Sequence, residues 1–165
     1  MKRDEIVAFV TDILDEMKDT GVPVPSRVVL LKLKEKATTA YYDDATDELI
    51  VNESGAFWKG NDQRAKQEEQ FRTGRLSTSD PRHPILHEIG HAASHKRDPS
   101  FYRTLKFARF PNEARLDLGE GQVSLYAMTS PHEFVAEVFA GLVVGIEFHE
   151  SVMNWYETWV GWPVE

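Results

Sequence analysis

The chain of 165 residues has no cysteine. That absence excludes a disulfide framework, a thiolate metal site and a cysteine nucleophile, and it fits a reducing compartment. Positive charge is also in short supply: 19 lysines and arginines stand against 27 aspartates and glutamates, a net charge of −8 with histidines neutral. Such a balance argues against nucleic acid and against anionic membrane surfaces as partners. Long apolar runs are missing as well. The strongest, from Phe139 to Ile146, is far too short to span a bilayer. Near the start, Lys2-Arg3 is followed at once by Asp4-Glu5, and the apolar residues beyond are interrupted by Asp12, Asp15 and Glu16. No secretory signal is visible there. The expectation is a soluble protein, cytoplasmic as encoded, with residues 1–165 forming one domain large enough to bury a real core.

What the sequence does have is His87-Glu88-Ile89-Gly90-His91. On a helix, positions four apart lie one turn above each other on one face, so both imidazoles can close on one cation. Glu88 follows the first histidine and is swung about 100° around the axis, where it reaches an attacking water without taking a metal position. Ile85, Leu86, Ile89, Ala92 and Ala93 supply an apolar back for the same helix. Pro84 suits a first turn, and Asp80 or His83 is placed to cap it.

A second stretch gives the first its context. Ser130 before Pro131 reads as a helix N-cap, with Glu133 at capping-box spacing, and Phe134, Val135, Val138, Phe139 and Leu142 continue a helical period. Glu133 and Glu137 then project from one face. Ala136, Ala140 and Gly141 keep the surface beside them small enough for close approach of the histidine helix. A catalytic zinc takes three protein ligands and leaves one position for water, and two histidines with a glutamate are a standard set. The expected ligands are therefore His87, His91 and Glu133. Glu137 is expected to fix the tautomer of a ligand histidine through its other ring nitrogen. The plain alternative is that Glu133 only caps its helix and both acids are solvated.

His87-Glu88-x-x-His91 followed by Tyr126-x6-Glu133-x3-Glu137 resembles the gluzincin metallopeptidases of the anthrax lethal factor and Pro-Pro endopeptidase type. The resemblance covers about Pro81 to Gly145. A looser likeness links the segment entering the histidine helix to zincin domains encoded near phage head-morphogenesis proteins. The sequence departs from the commoner Asn-Pro or Asn-Glu run by carrying Ser130-Pro131-His132 before the ligand glutamate. The resemblance implies an α+β, zincin-like fold: a small antiparallel or mixed sheet packed on the active-site helix, with further helices. It implies one catalytic Zn2+, with Glu88 as general base and then acid and Tyr126 as the donor to the oxyanion. It implies a protein or peptide substrate. It also suggests that the segment around Leu49 to Asn52 is the sheet edge that pairs with an extended substrate. The competing class is a zincin-fold module of phage or toxin association that keeps zinc for structure and cleaves nothing.

The rest is coarser. Residues 3–19 read as an amphipathic helix with Ile6, Val7, Val10, Ile13, Leu14 and Met17 on its stripe, ended by Gly21, Pro23 and Pro25. Val28 to Leu33 reads as a strand, and Thr38–Tyr42 with Glu48–Asn52 reads as a hairpin. Residues 54–80, helical from Asp62 to Phe71, are expected to form a wall or lid of the cleft, or a mere connector. Ser100 to Phe110 reads as a helix, 112–121 as a loop, and 150–165 as a last helix packing its tryptophans. His95 reads as a surface residue, and His83, His132 and His149 as structural or solvent-facing.

Overall fold

The computed structural model describes residues 1–60, 62–119 and 121–165. Asn61 and Glu120, which fall within two of the stretches just read, lie outside the described residues. The chain begins with α1 (Arg3–Asp19), followed by β1 (Arg27–Leu31), β2 (Ala40–Asp43) and β3 (Glu48–Asn52). Next come α2 (Gln63–Arg72), the histidine helix α3 (His83–Arg97), α4 (Pro99–Lys106) and α5 (Asn112–Asp117). The chain closes with α6 (Pro131–Val143) and α7 (Glu150–Thr158), and single 3-10 turns occupy Ala56–Trp58 and Ala127–Thr129. The class is α+β. No helix among the described residues is long and apolar enough to cross a membrane.

α1 forms because its apolar residues recur at helical spacing, and Ile6, Val10, Ile13, Leu14 and Met17 are buried. Val7, expected on that stripe, is 42% exposed; it falls on the edge of the arc that faces the core. Gly21, at φ 84°, ends the helix in the left-handed region, its N–H donating to Lys18 O while Val22 N–H donates to Met17 O.

The sheet runs β1-β3-β2, with β1 parallel and β2 antiparallel to β3. This corrects the expected edge. Leu49 to Asn52 belong to the central strand, all of whose residues are buried, because β1 pairs along the side opposite the hairpin. The strand facing the histidine helix is β2, and its outer edge has ladder groups to spare. Buried Asn52 also fixes the connection between β1 and β2: its amide donates to Glu35 O and Thr38 O at 2.8 Å each, and its Oδ1 accepts from Leu33 N–H.

α3 and α6 pack closely, and Gly90 is the reason they can. A Cβ there would stand 3.1 Å from Ala136 Cα and 3.0 Å from a Phe139 ring carbon. Gly141, expected to serve the same approach, instead makes room for Phe148. Behind both helices Ile85, Leu86, Ile89, Phe134, Val138 and Phe139 are fully buried in the core. Residues 112–117 form the short helix α5 and not a loop; Ala114 is buried and the Asp117 carboxylate accepts from Trp155 Nε1 at 3.0 Å. Six residues are too few for a legible period.

Candidate metal centre and active site

α3 begins at His83, with Pro84 in its second position. Neither expected residue caps it in the usual way. Arg82 is the N-cap, Asp80 accepts from Arg82 N–H through Oδ1, and the His83 ring turns inward. α6 starts as its sequence implies: Ser130 is the N-cap and its Oγ accepts from Glu133 N–H at 3.2 Å. That leaves the Glu133 carboxylate free to face α3. Its Oε2 lies 2.8 Å from His87 Nε2 and 3.3 Å from His91 Nε2. The two imidazoles and the carboxylate therefore converge across the tight α3–α6 contact.

Glu137, one turn further along α6, has no exposed surface. Its Oε1 lies 2.9 Å from His87 Nδ1 and 2.8 Å from His83 Nε2, and its Oε2 accepts from Ser77 N–H and Ser124 Oγ. Burial would raise the carboxyl, but the His83 and His87 rings prevail and hold it well below the ordinary range. Glu133 is likewise held well below its ordinary value: burial would raise it, but hydrogen bonds from His132, His87 and His91 prevail.

His87 supplies the test of whether these residues fit a cation. Both its nitrogens face carboxylate oxygens, yet a neutral imidazole donates from only one. With Nδ1–H given to Glu137, the Nε2 lone pair would point at Glu133 Oε2, which is repulsive unless a proton or a metal ion lies between. Without a metal ion the ring is held protonated, the pull of Glu133 and Glu137 overcoming its burial. His91 behaves in the opposite way. Burial first, then His132 beside it, pushes it down to about 3, so it is neutral and able to ligate. Its Nδ1 is buried without a hydrogen-bond partner.

Buried histidine and glutamate groups here can hold a metal ion. Three sets bring their ligand atoms within 4.8 Å of one another: His83 with His87 and Glu137, His87 with Glu88 and His91, and His91 with His132 and Glu133. In the first set the Glu137 carboxylate is already committed, facing the His83 and His87 rings through Oε1 and accepting from Ser77 N–H and Ser124 Oγ through Oε2. The other two share His91 and lie on the side toward which Glu133 and Glu88 open.

Glu88 is half-buried beside His87, and its Oε2 accepts from the outward Tyr42 N–H of β2 at 2.8 Å. Burial pushes its carboxyl up to about 7; the Glu133 and Glu137 carboxylates add to this, while His87 and the Tyr42 N–H oppose it. Tyr126 stands with its ring 5.5 Å from that of His87. Its N–H donates to Arg75 O, as Leu125 N–H does to Gly74 O, so the turn before α6 is tied to the segment before α3. Burial and the nearby carboxylates push the phenol up, and it remains a donor at neutral pH. A cavity of about 570 Å³ opens beside His87, Glu88 and Tyr126, with residues 37–40 on one side and α2 on the other. From the segment expected to be wall, lid or connector, Ala56, Phe57, Lys66, Gln67, Gln70, Arg75 and Leu76 line this cavity, and Gln67 Nε2 donates to Thr78 O at 2.7 Å.

Sequence reasoning missed several residues of this centre. His83, for which a structural place was one of two readings, is buried against Glu137; His95, read as a surface residue, is half-buried, its Nδ1 2.9 Å from Tyr42 Oη and its Nε2 buried. Both sit at four-residue steps from His87 and His91, a signal the sequence did carry. His132 stacks on His91 with ring centroids 3.9 Å apart, and its Nε2 lies 2.8 Å from Tyr102 Oη. With the buried Tyr102 hydroxyl as donor, the His132 proton would lie on Nδ1, which is 3.4 Å from Glu133 Oε1. The other oxygen of Glu133, Oε2, faces His87 and His91. Tyr102→Phe is expected to weaken metal binding about 10–100-fold while the fold is kept, as read by competition with a metal-chelating dye.

No protein-family model, no curated protein and no solved structure matches this chain.

Proposed function

We propose that the protein is a zinc-dependent peptidase of the gluzincin type, cleaving peptide bonds in a protein or peptide. The observation that carries this reading is Glu133 Oε2 facing both His87 Nε2 and His91 Nε2, with Glu88 and an open cavity beside them. Atoms bound about 2.0–2.1 Å from a tetrahedral zinc stand roughly 3.3 Å apart, close to the 2.8 and 3.3 Å that separate Glu133 Oε2 from the two imidazole Nε2 atoms.

His87, His91 and Glu133 would hold the zinc. When bound, it polarises the substrate carbonyl and lowers the pKa of water toward neutrality. Glu88 takes the proton of the attacking water and later gives it to the leaving amine. Tyr126 donates its hydroxyl to the oxygen on which negative charge develops. Glu137 keeps the His87 proton on Nδ1, so that Nε2 presents its lone pair toward Glu133. The outer edge of β2, which already gives Tyr42 N–H to Glu88, offers an extended substrate a strand to pair with.

Chelation is expected to abolish hydrolysis of a mixed peptide library and zinc to restore it. In Tyr126→Phe the turnover should fall about 10²–10³-fold. Unchanged turnover in that variant removes the role of Tyr126, and hydrolysis indifferent to chelation contradicts the metallopeptidase reading.

A further inference from the structure

The cavity has a polar asymmetry that the hydrolytic chemistry does not use. Buried His87 and Glu137 and half-buried Glu88 line the cavity, and so do half-buried Lys66 and Gln70 and exposed Arg75. Lys66 is occupied, since its ammonium donates to the backbone carbonyls of Ala56, Phe57 and Lys59 and so holds the 56–59 turn against α2. Arg75 is different. Its guanidinium makes no hydrogen bond or ion pair among the described residues, and neither does the Gln70 side-chain amide.

The root of this arginine is nevertheless fixed. Arg75 N–H donates to Gln70 O at 3.0 Å, and Arg75 O accepts from Tyr126 N–H at 3.1 Å. The Arg75 backbone is therefore hydrogen-bonded to that of the tyrosine beside His87 on one side and to that of Gln70 on the other. A planar guanidinium with five donors suits a carboxylate above other partners, and an amide next to it adds a further donor. The chain as a whole is acidic, at −8, so it offers no general attraction for acidic peptides, and a preference for them must arise locally.

We propose that Arg75 and Gln70 read a substrate carboxylate in this cavity, so that the enzyme selects peptides with Asp or Glu at one fixed position close to the cleaved bond. This inference rests on the peptidase reading. The free Arg75 guanidinium, anchored to Tyr126 through its backbone, is the observation that carries it.

The test is cleavage profiling of the full chain, loaded with zinc, on a randomised peptide library, followed by matched peptides carrying Glu, Gln or Lys at the selected position. Wild type should enrich Asp and Glu at a single position and prefer the Glu peptide over the Gln peptide about tenfold in kcat/KM. In Arg75→Gln that ratio should approach unity, and in Arg75→Glu the Lys peptide should become the better substrate. Thermal melting of both variants checks that the exposed substitution leaves the fold intact. Cleavage by wild type with no acidic preference overturns this inference alone, as does an acidic preference that survives Arg75→Glu. Failure of wild type to cleave any peptide overturns the peptidase reading, and this inference with it.

Discussion

Glu88→Gln is expected to keep the fold and the bound metal while slowing peptide hydrolysis about 10²–10⁴-fold. The substitution keeps the shape and an acceptor for the Tyr42 N–H that now lies 2.8 Å from the carboxylate, but it removes the proton acceptor. The same variant separates an enzyme from a structural zinc module, which has no need of a base beside its ligands. Wild type and variant behaving alike on a broad peptide library would favour the module. A stability signature accompanies the kinetic one. In metal-free protein the Glu88 carboxyl is raised from the ordinary 4.5 to about 7, chiefly by burial. The stability linked to its protonated form is fully present below about pH 4.5 and is lost as pH rises through about 7. Gln never ionises, so above pH 7 metal-free Glu88→Gln should exceed metal-free wild type by about 3 kcal/mol, with the two converging as pH falls toward 4.5. Urea denaturation in chelator at pH 5 and pH 8 measures both arms. A bound cation opposes the rise, so the difference should shrink when metal is present.

Glu137→Leu should be the most destabilising single change at the centre, costing about 3–5 kcal/mol. Leucine fills much of the volume but abandons the His83 and His87 rings, the Ser77 N–H and the Ser124 hydroxyl, all buried and all now bonded to this carboxylate. Unpaired buried donors carry their full desolvation cost. For a chain of this size that corresponds to a melting point lower by roughly 10 °C, and His87, no longer oriented, should lose metal affinity as well. A melting point within about 2 °C of wild type would mean that the network contributes little to folding.

The parts of this arrangement that could be read from the sequence are those set by local periodicity. Four-residue spacing places His87 above His91 and Glu133 above Glu137 whatever the rest of the chain does. Ser130-Pro131 fixes where the second helix starts, and so which face Glu133 takes. What depends on packing between distant elements was not legible. Tyr102 reaches His132 only because α4 folds back against α6, and no local pattern announces that contact. Strand order is another case. Two short runs rich in aromatic and branched residues on either side of the turn at 43–46 mark β2 and β3 as a hairpin, but it is the parallel pairing of β1 that makes β3 central and leaves β2 as the edge over the site. The histidine ladder lies between these extremes. His83 and His95 continue the spacing of His87 and His91, but whether they face the core or solvent depends on Glu137 and Tyr42 arriving from elsewhere.

The convergence of His87, His91 and Glu133 on one cation is tested most directly by the metal content per chain of wild type beside Glu133→Ala, after exhaustive dialysis in trace zinc without chelator. The account predicts about one zinc per chain in wild type and a loss in Glu133→Ala exceeding the roughly 10–100-fold weakening that an orienting residue would cause. Metal-free wild type, or equal zinc content in the two proteins, would contradict it.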